Sequence, residues 1–142
     1  MNIERSLVLN HTIQICLLRN LPKVGVGMFA RSGFYPDFIL WIRNKKTKEV
    51  RVVFLDPHGL HHEGIDGNDR FAAIEKLRDL GRNRRFITKK VRLDGYILAP
   101  SDTPLDEIPG VGGERTWSDL EKEHPLLRQG DNYVARLFEA AP

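Results

Sequence analysis

A chain of 142 residues with 41% hydrophobic content is long enough for one domain with its own core, and it holds no apolar run long enough to cross a bilayer. Its net charge of +3 permits an anionic partner without demanding one. The single cysteine, Cys16, excludes an intrachain disulfide, and the opening MNIERSLVLNHT lacks the cationic head, apolar block and cleavage site of a signal peptide, so the expectation is a cytoplasmic protein with no membrane partner.

In chain order, Ile13 to Leu18 is short, apolar and bounded by Asn10 before and by Asn20 and Pro22 after, which predicts a strand. KVGVGMFARSG alternates glycine with apolar residues and breaks at Ser32 and Gly33, as an edge strand or irregular ribbon does. Asp37 to Ile42 and Val50 to Leu55 are two further strands. The charged turn Asn44 to Lys48 joins them as a hairpin, and antiparallel pairing then sets Asp37 and Asp56 at the same end. After the Gly- and His-rich loop PHGLHHEGIDGND, the residues Phe71, Ile74, Leu77 and Leu80 recur at helical spacing. Asn68 or Asp69 can cap that helix, and Gly81 can end it in a left-handed conformation. RNRRFITKKVR is strongly basic, and LDGYILAP holds another strand. Residues 100 to 115 form a Pro- and Gly-rich loop. Residues 116 to 142 are a helical region, with a capping pattern at Thr116, with Trp117 and Leu120 inward, and with Val134, Leu137 and Phe138 on one face of a last helix. No repeat and no P-loop pattern occurs.

Two carboxylates at one open end of a hairpin repel each other, and a divalent cation is the economical relief. The bland readings are that Asp37 is a strand-entry residue after Pro36 and that Asp56-Pro57 is an ordinary strand terminator. Likewise His61 and His62 read as solvated loop histidines, and Trp41 as a core residue rather than a base-stacking partner of Tyr35. A zinc set of Cys16, His58, His61 and His62 has the right residue types but no paired spacing behind it.

The spacing has a family likeness. Pro36-Asp37, then a hairpin, then Asp56-Pro57-His58 resembles the PD-(D/E)xK nuclease superfamily, whose restriction-endonuclease-like core is an α/β fold: a mixed central sheet, with the acids on a hairpin, flanked by helices. The blocks LLRNLPKVGVGMF, GFYPDFILWI, VVFLDPHGL, LDGYILA and DNYVARLFE, taken in order, are similar to the C-terminal nuclease domain of helicases of the type III restriction enzyme Res-subunit class. The likeness runs from about Ile15 to the C-terminus and implies one nuclease-like domain over 1–142 with its core over about 13–99. It implies DNA as substrate, a helicase motor and a modification subunit as partners, and Mg²⁺ or Mn²⁺ held by Asp37, Asp56 and the backbone carbonyl of Pro57. It also implies that Arg82, Arg84, Arg85, Lys89 and Lys90, together with Arg92, bind DNA phosphates beside the site, where composition alone would read a solvated basic surface. Two departures stand out. His58 occupies the position of the motif's lysine, which is longer and permanently charged. In addition, NIERSLVLN leaves little room for a helix bearing the family's glutamate, for which Glu4 would be the candidate, so this segment is expected to be short relative to the family. The alternatives are a nuclease-derived DNA-binding module that has lost cleavage and a plain partner-docking domain.

Overall fold

Runs of β-branched and aromatic residues set the strands, and their alternation sets the face that each side chain takes. The computed structural model describes residues 3–9, 12–27, 34–58, 60 and 64–139. It places six strands in one mixed sheet, in chain order: β1 (Ile3–Leu9), β2 (Ile13–Arg19), β3 (Phe38–Asn44), β4 (Val50–Asp56), β5 (Val91–Ala99) and β6 (Leu126–Arg128). Neighbours among β1 to β4 run antiparallel; β4, β5 and β6 run parallel. Short connections reverse the chain between β1 and β2 and between β3 and β4, whereas the parallel returns to β5 and β6 are made through helical crossovers. Helices α1 (Asp69–Gly81) and α2 (Arg84–Thr88) carry the chain from β4 to β5, α3 (Trp117–Glu123) carries it on to β6, and α4 (Tyr133–Glu139) follows.

Each face of the sheet buries its own apolar set. On one face Ile39, Phe54, Ile97 and Ala99 pack with Phe71, Ile74 and Leu77 of α1 and Leu120 of α3. On the other, Leu40, Ile42, Val53, Leu55 and Leu98 pack with Leu137 of α4. The fold is therefore α/β, a mixed sheet with helices on both faces. Helix α1 sits directly on β5, because a Cβ at Gly95 would come 3.0 Å from the Ile74 side chain and 3.2 Å from the Phe54 carbonyl oxygen. Trp41 packs against the first core, as its surroundings in the sequence predict. Among the described residues, no helix is long and apolar enough to cross a membrane.

Several elements differ from the sequence expectation. Residues 3–9, in which the sequence leaves little room for a helix, form strand β1 at the edge of the sheet. Of KVGVGMFARSG, residues 23–27 form no edge strand. A turn runs there, with the Gly25 N–H donating to the Leu21 carbonyl at 2.8 Å, while residues 28–33 lie outside those described. Gly81 does not close α1 in a left-handed conformation: the cap is Arg82, in the right-handed region. The glycine instead admits Leu93, whose backbone and Cβ would lie within 3.1 Å of a Cβ there. Leu80 is exposed, as is Val134 of α4, where Tyr133 takes the place against the sheet. The basic stretch holds α2, and Leu126 to Arg128 make a short strand paired with Ile97 to Ala99.

Candidate metal centre

The hairpin brings the two acids together by register. Phe38 pairs with Leu55, so Asp37, just before β3, and Asp56, the last residue of β4, are neighbours at the end away from the turn. That turn is fixed by Asn44, whose N–H donates to the Glu49 carbonyl at 2.9 Å and whose side chain accepts from the Lys46 N–H at 2.9 Å. A slip of one residue would exchange the β4 side chains between the two cores, so the register of the acids is secured by the fit of Val53 and Leu55 into one core and Phe54 into the other.

Asn20 then holds Asp37 in place. It is buried; its backbone N–H donates to the Asp37 carbonyl at 2.7 Å and its side-chain amide donates to the Pro36 carbonyl at 2.9 Å. The same side chain accepts from the Val26 N–H at 2.9 Å and donates to the Val26 carbonyl at 2.8 Å, which pins the loop after β2 to the strand that carries the acid. The sequence offers Asn20 only as a strand boundary; its buried position between two loops is a tertiary fact.

Asp56 is only 4% exposed. The turn through Pro57 lets the His58 backbone N–H donate to Asp56 Oδ1 at 2.8 Å, a local arrangement typical of Asp in turns. The other oxygen, Oδ2, faces Arg70 Nη1 at 3.5 Å. Burial holds the Asp56 carboxyl above the usual carboxylate range, and the Asp37 charge adds to that push against the opposing pull of the His58 N–H and the Arg70 guanidinium. Asp37 is partly exposed, and its Oδ2 lies 2.6 Å from Nδ1 of the exposed His58 ring. One ligand atom from each of Asp37, Asp56 and His58 lies within 4.8 Å of the other two.

This donor set fits a divalent cation. Two carboxylates supply hard oxygens and offset a double charge, and an imidazole nitrogen suits Mn²⁺ better than Mg²⁺. A buried carboxylate whose environment resists ionisation gains most from a nearby cation. The site stands at the C-terminal end of β4, at the edge of the parallel part of the sheet, where open α/β sheets place their ligands.

The remaining candidates are distributed differently. Pro57 is half-buried within the Asp56 turn. Cys16 pairs with Trp41 in mid-sheet, three residues before the end of β2, and does not belong to the Asp37, Asp56 and His58 group; His61 and His62 lie outside the described residues. Arg82, Arg84, Arg85, Lys89, Lys90 and Arg92 are exposed, but they lie at the opposite end of the sheet, where Val91 pairs with Val50. Six residue steps of β4 separate them from Asp56, about 20 Å at the strand rise, because α1 runs the length of the sheet before the basic stretch begins. The expected adjacency to the acids is thus replaced by a separation. There Arg82 pairs with Asp79 at 2.8 Å and Lys90 donates to the Thr47 carbonyl at 3.0 Å. Arg82, Lys90 and Arg92 also line, with Arg51, Arg78 and Tyr96, a groove of about 680 Å³.

Two charged clusters escape the sequence reading. Arg70 is one. The other is Asp94, which accepts from Arg51 Nη2 at 2.7 Å, from Arg78 Nε at 2.7 Å and from the Tyr96 hydroxyl at 3.1 Å. Arg51, 5% exposed, also donates to the Leu137 carbonyl of α4. The signal was available in the alternation: Arg51 shares the inward face of Val53 and Leu55, and a charge there requires a partner on the next strand. The chain matches no protein-family model, no curated protein and no solved structure.

Proposed function

We propose that the protein is a metal-dependent nuclease domain of the PD-(D/E)xK kind, acting on DNA phosphodiesters. The observation that supports this most is the convergence of Asp37, Asp56 and His58 within 4.8 Å at the end of the β3–β4 hairpin. The antiparallel strands β1 to β4 followed by a helical crossover to β5 agree with a restriction-endonuclease-like core. Asp37 and Asp56 would hold Mg²⁺ or Mn²⁺, with the Pro57 carbonyl as a further oxygen; such an ion makes a water more acidic and offsets charge building on phosphate. The chain's own residues do the rest. Asn20 and the Asp56 turn fix the two carboxylates, and the exposed His58 ring, once released from Asp37, would turn towards a phosphate or a water proton. Arg82, Arg84, Arg85, Lys89 and Lys90 would hold the DNA backbone well away from the cut, an attraction that salt weakens. By the same resemblance, a helicase motor and a modification subunit are the expected partners.

The second reading, a DNA-binding module that no longer cleaves, is favoured by one observation: the position of the motif's lysine holds a histidine whose ring is engaged with an acid at 2.6 Å.

Linkage between metal and fold tests the centre itself. Burial holds Asp56 above its ordinary value, so stability is lost as the pH rises from that ordinary value through the raised one, and the metal-free protein bears this cost wherever Asp56 is ionised. Asp56→Asn is expected to raise the melting temperature in EDTA at a pH where the wild-type carboxyl is ionised. Mn²⁺ raises the melting temperature of the wild type, because it binds the folded state, and leaves that of the variant unchanged. A wild-type melting temperature indifferent to both Mn²⁺ and Mg²⁺ would remove the metal from the account.

A further inference from the structure

Each carboxylate of the centre already has one oxygen engaged by a donor of the chain. For Asp37 that donor is the His58 ring, exposed and able to rotate away. For Asp56 the two oxygens differ. Oδ1 accepts from the His58 backbone N–H at 2.8 Å, a bond built into the turn. Oδ2 is left for an incoming cation, and Arg70 Nη1 faces it at 3.5 Å. Arg70 is held there by helix geometry: it stands in the first turn of α1, where its N–H donates to the side chain of the buried cap Asn68 at 3.0 Å. Asn68 in turn donates to the Gly64 carbonyl at 2.9 Å. The helix start is thus anchored, while the Arg70 side chain, 35% exposed, keeps a route into solvent.

We propose that Arg70 is the resident counter-ion of the metal centre: it neutralises the buried Asp56 while no ion is bound and must yield Oδ2 when one binds, so it sets the affinity for the metal. This rests on the metal-centre reading above. An arginine is charged at every working pH, so its opposition to the metal is constant, unlike that of a histidine. The long separation also matters. At 3.5 Å the contact lies beyond a well-formed charge-assisted hydrogen bond, so the guanidinium screens Asp56 without clamping it. Arg70 is therefore a positioning residue that acts through Asp56.

The sign of the effect separates this role from a structural one. A residue that merely kept Asp56 in place would, on removal, weaken metal binding; a competing cation, on removal, strengthens it. Mn²⁺ binding is to be measured by calorimetry, without DNA, on the wild type, Arg70→Gln, Arg70→Lys and the Asp37→Ala, Asp56→Ala double variant. Arg70→Gln keeps most of the side chain and loses the charge, and it is expected to bind Mn²⁺ about tenfold more tightly, the scale on which a unit charge acts on a dication in a water-screened site. Arg70→Lys keeps the charge and stays within about twofold of the wild type on the same argument. Equal or weaker binding by a folded Arg70→Gln, with the double variant inactive in binding, would overturn the role of Arg70 and leave the metal centre standing. Binding undiminished in the double variant, or absent from every protein, would overturn the centre and the proposal with it.

Discussion

Asp94→Asn is expected to lower the unfolding free energy by about 3 kcal/mol, the scale on which one partner of a buried charge pair is missed. The reason lies less in the aspartate than in Arg51, which is 5% exposed and would remain in the core with no counter-charge. Arg78 suffers less, because it is 26% exposed, still donates to the Gly95 carbonyl at 2.9 Å and stacks over the Tyr96 ring at 4.7 Å. Replacing the pair together, Arg51→Met with Asp94→Leu, should recover much of the loss, since an apolar pair carries no desolvation penalty. Urea unfolding of the two variants beside the wild type measures this; an Asp94→Asn variant as stable as the wild type would contradict it. The same cluster predicts an acid limb. Burial, the largest influence on Asp94, pushes its carboxyl up, but the Arg78 and Arg51 guanidiniums and the Gly95 N–H together hold it below its ordinary value near 3.8. A depressed carboxylate contributes its full stability above that ordinary value and loses it as the pH falls towards the folded value. Stability should therefore be flat in this respect from pH 8 to about 5 and decline below about pH 4, and the decline should be shallower in Asp94→Asn.

His58→Lys is expected to raise DNA cleavage at saturating Mn²⁺ by about tenfold or more, a change of about 1.4 kcal/mol in the barrier. At present the ring is drawn to Asp37 at 2.6 Å. A lysine at this exposed position has the reach and permanent charge to leave the acid and meet a phosphate. The fold should tolerate it, because the contact that shapes the Asp56 turn is made by the backbone N–H of residue 58 and not by its side chain. Initial rates on a plasmid substrate, with melting temperature as the control for folding, provide the test. No gain in a folded variant that still binds metal would mean that the position does not serve the chemistry.

The sequence reveals the hairpin and its acids because both depend on local pattern. Asn44 to Lys48 makes a turn between two β-branched runs, and antiparallel pairing of those runs leaves Asp37 and Asp56 no other mutual position. Helix α1 is legible for the same reason, from the spacing of Phe71, Ile74 and Leu77 and the cap at Asn68. What escaped depends on contacts distant in sequence. Asn20 holds Asp37 through a loop that returns sixteen residues later; Arg70 meets Asp56 only because α1 begins beside the end of β4. The basic stretch is the instructive case. Its composition is plain in the sequence, yet its place is set by the length of α1, which delivers it to the far end of the sheet. Gly81 was misleading because of a second use of glycine, close packing against Leu93, that competes with left-handed capping.

The most direct measurement is nicking of supercoiled plasmid by the purified chain with Mg²⁺ or Mn²⁺, beside EDTA and the Asp37→Ala, Asp56→Ala double variant. Metal-dependent nicking that EDTA stops and the double variant lacks is the expected result. Nicking that persists in the folded double variant, or none from a folded wild type that binds Mn²⁺, would contradict it.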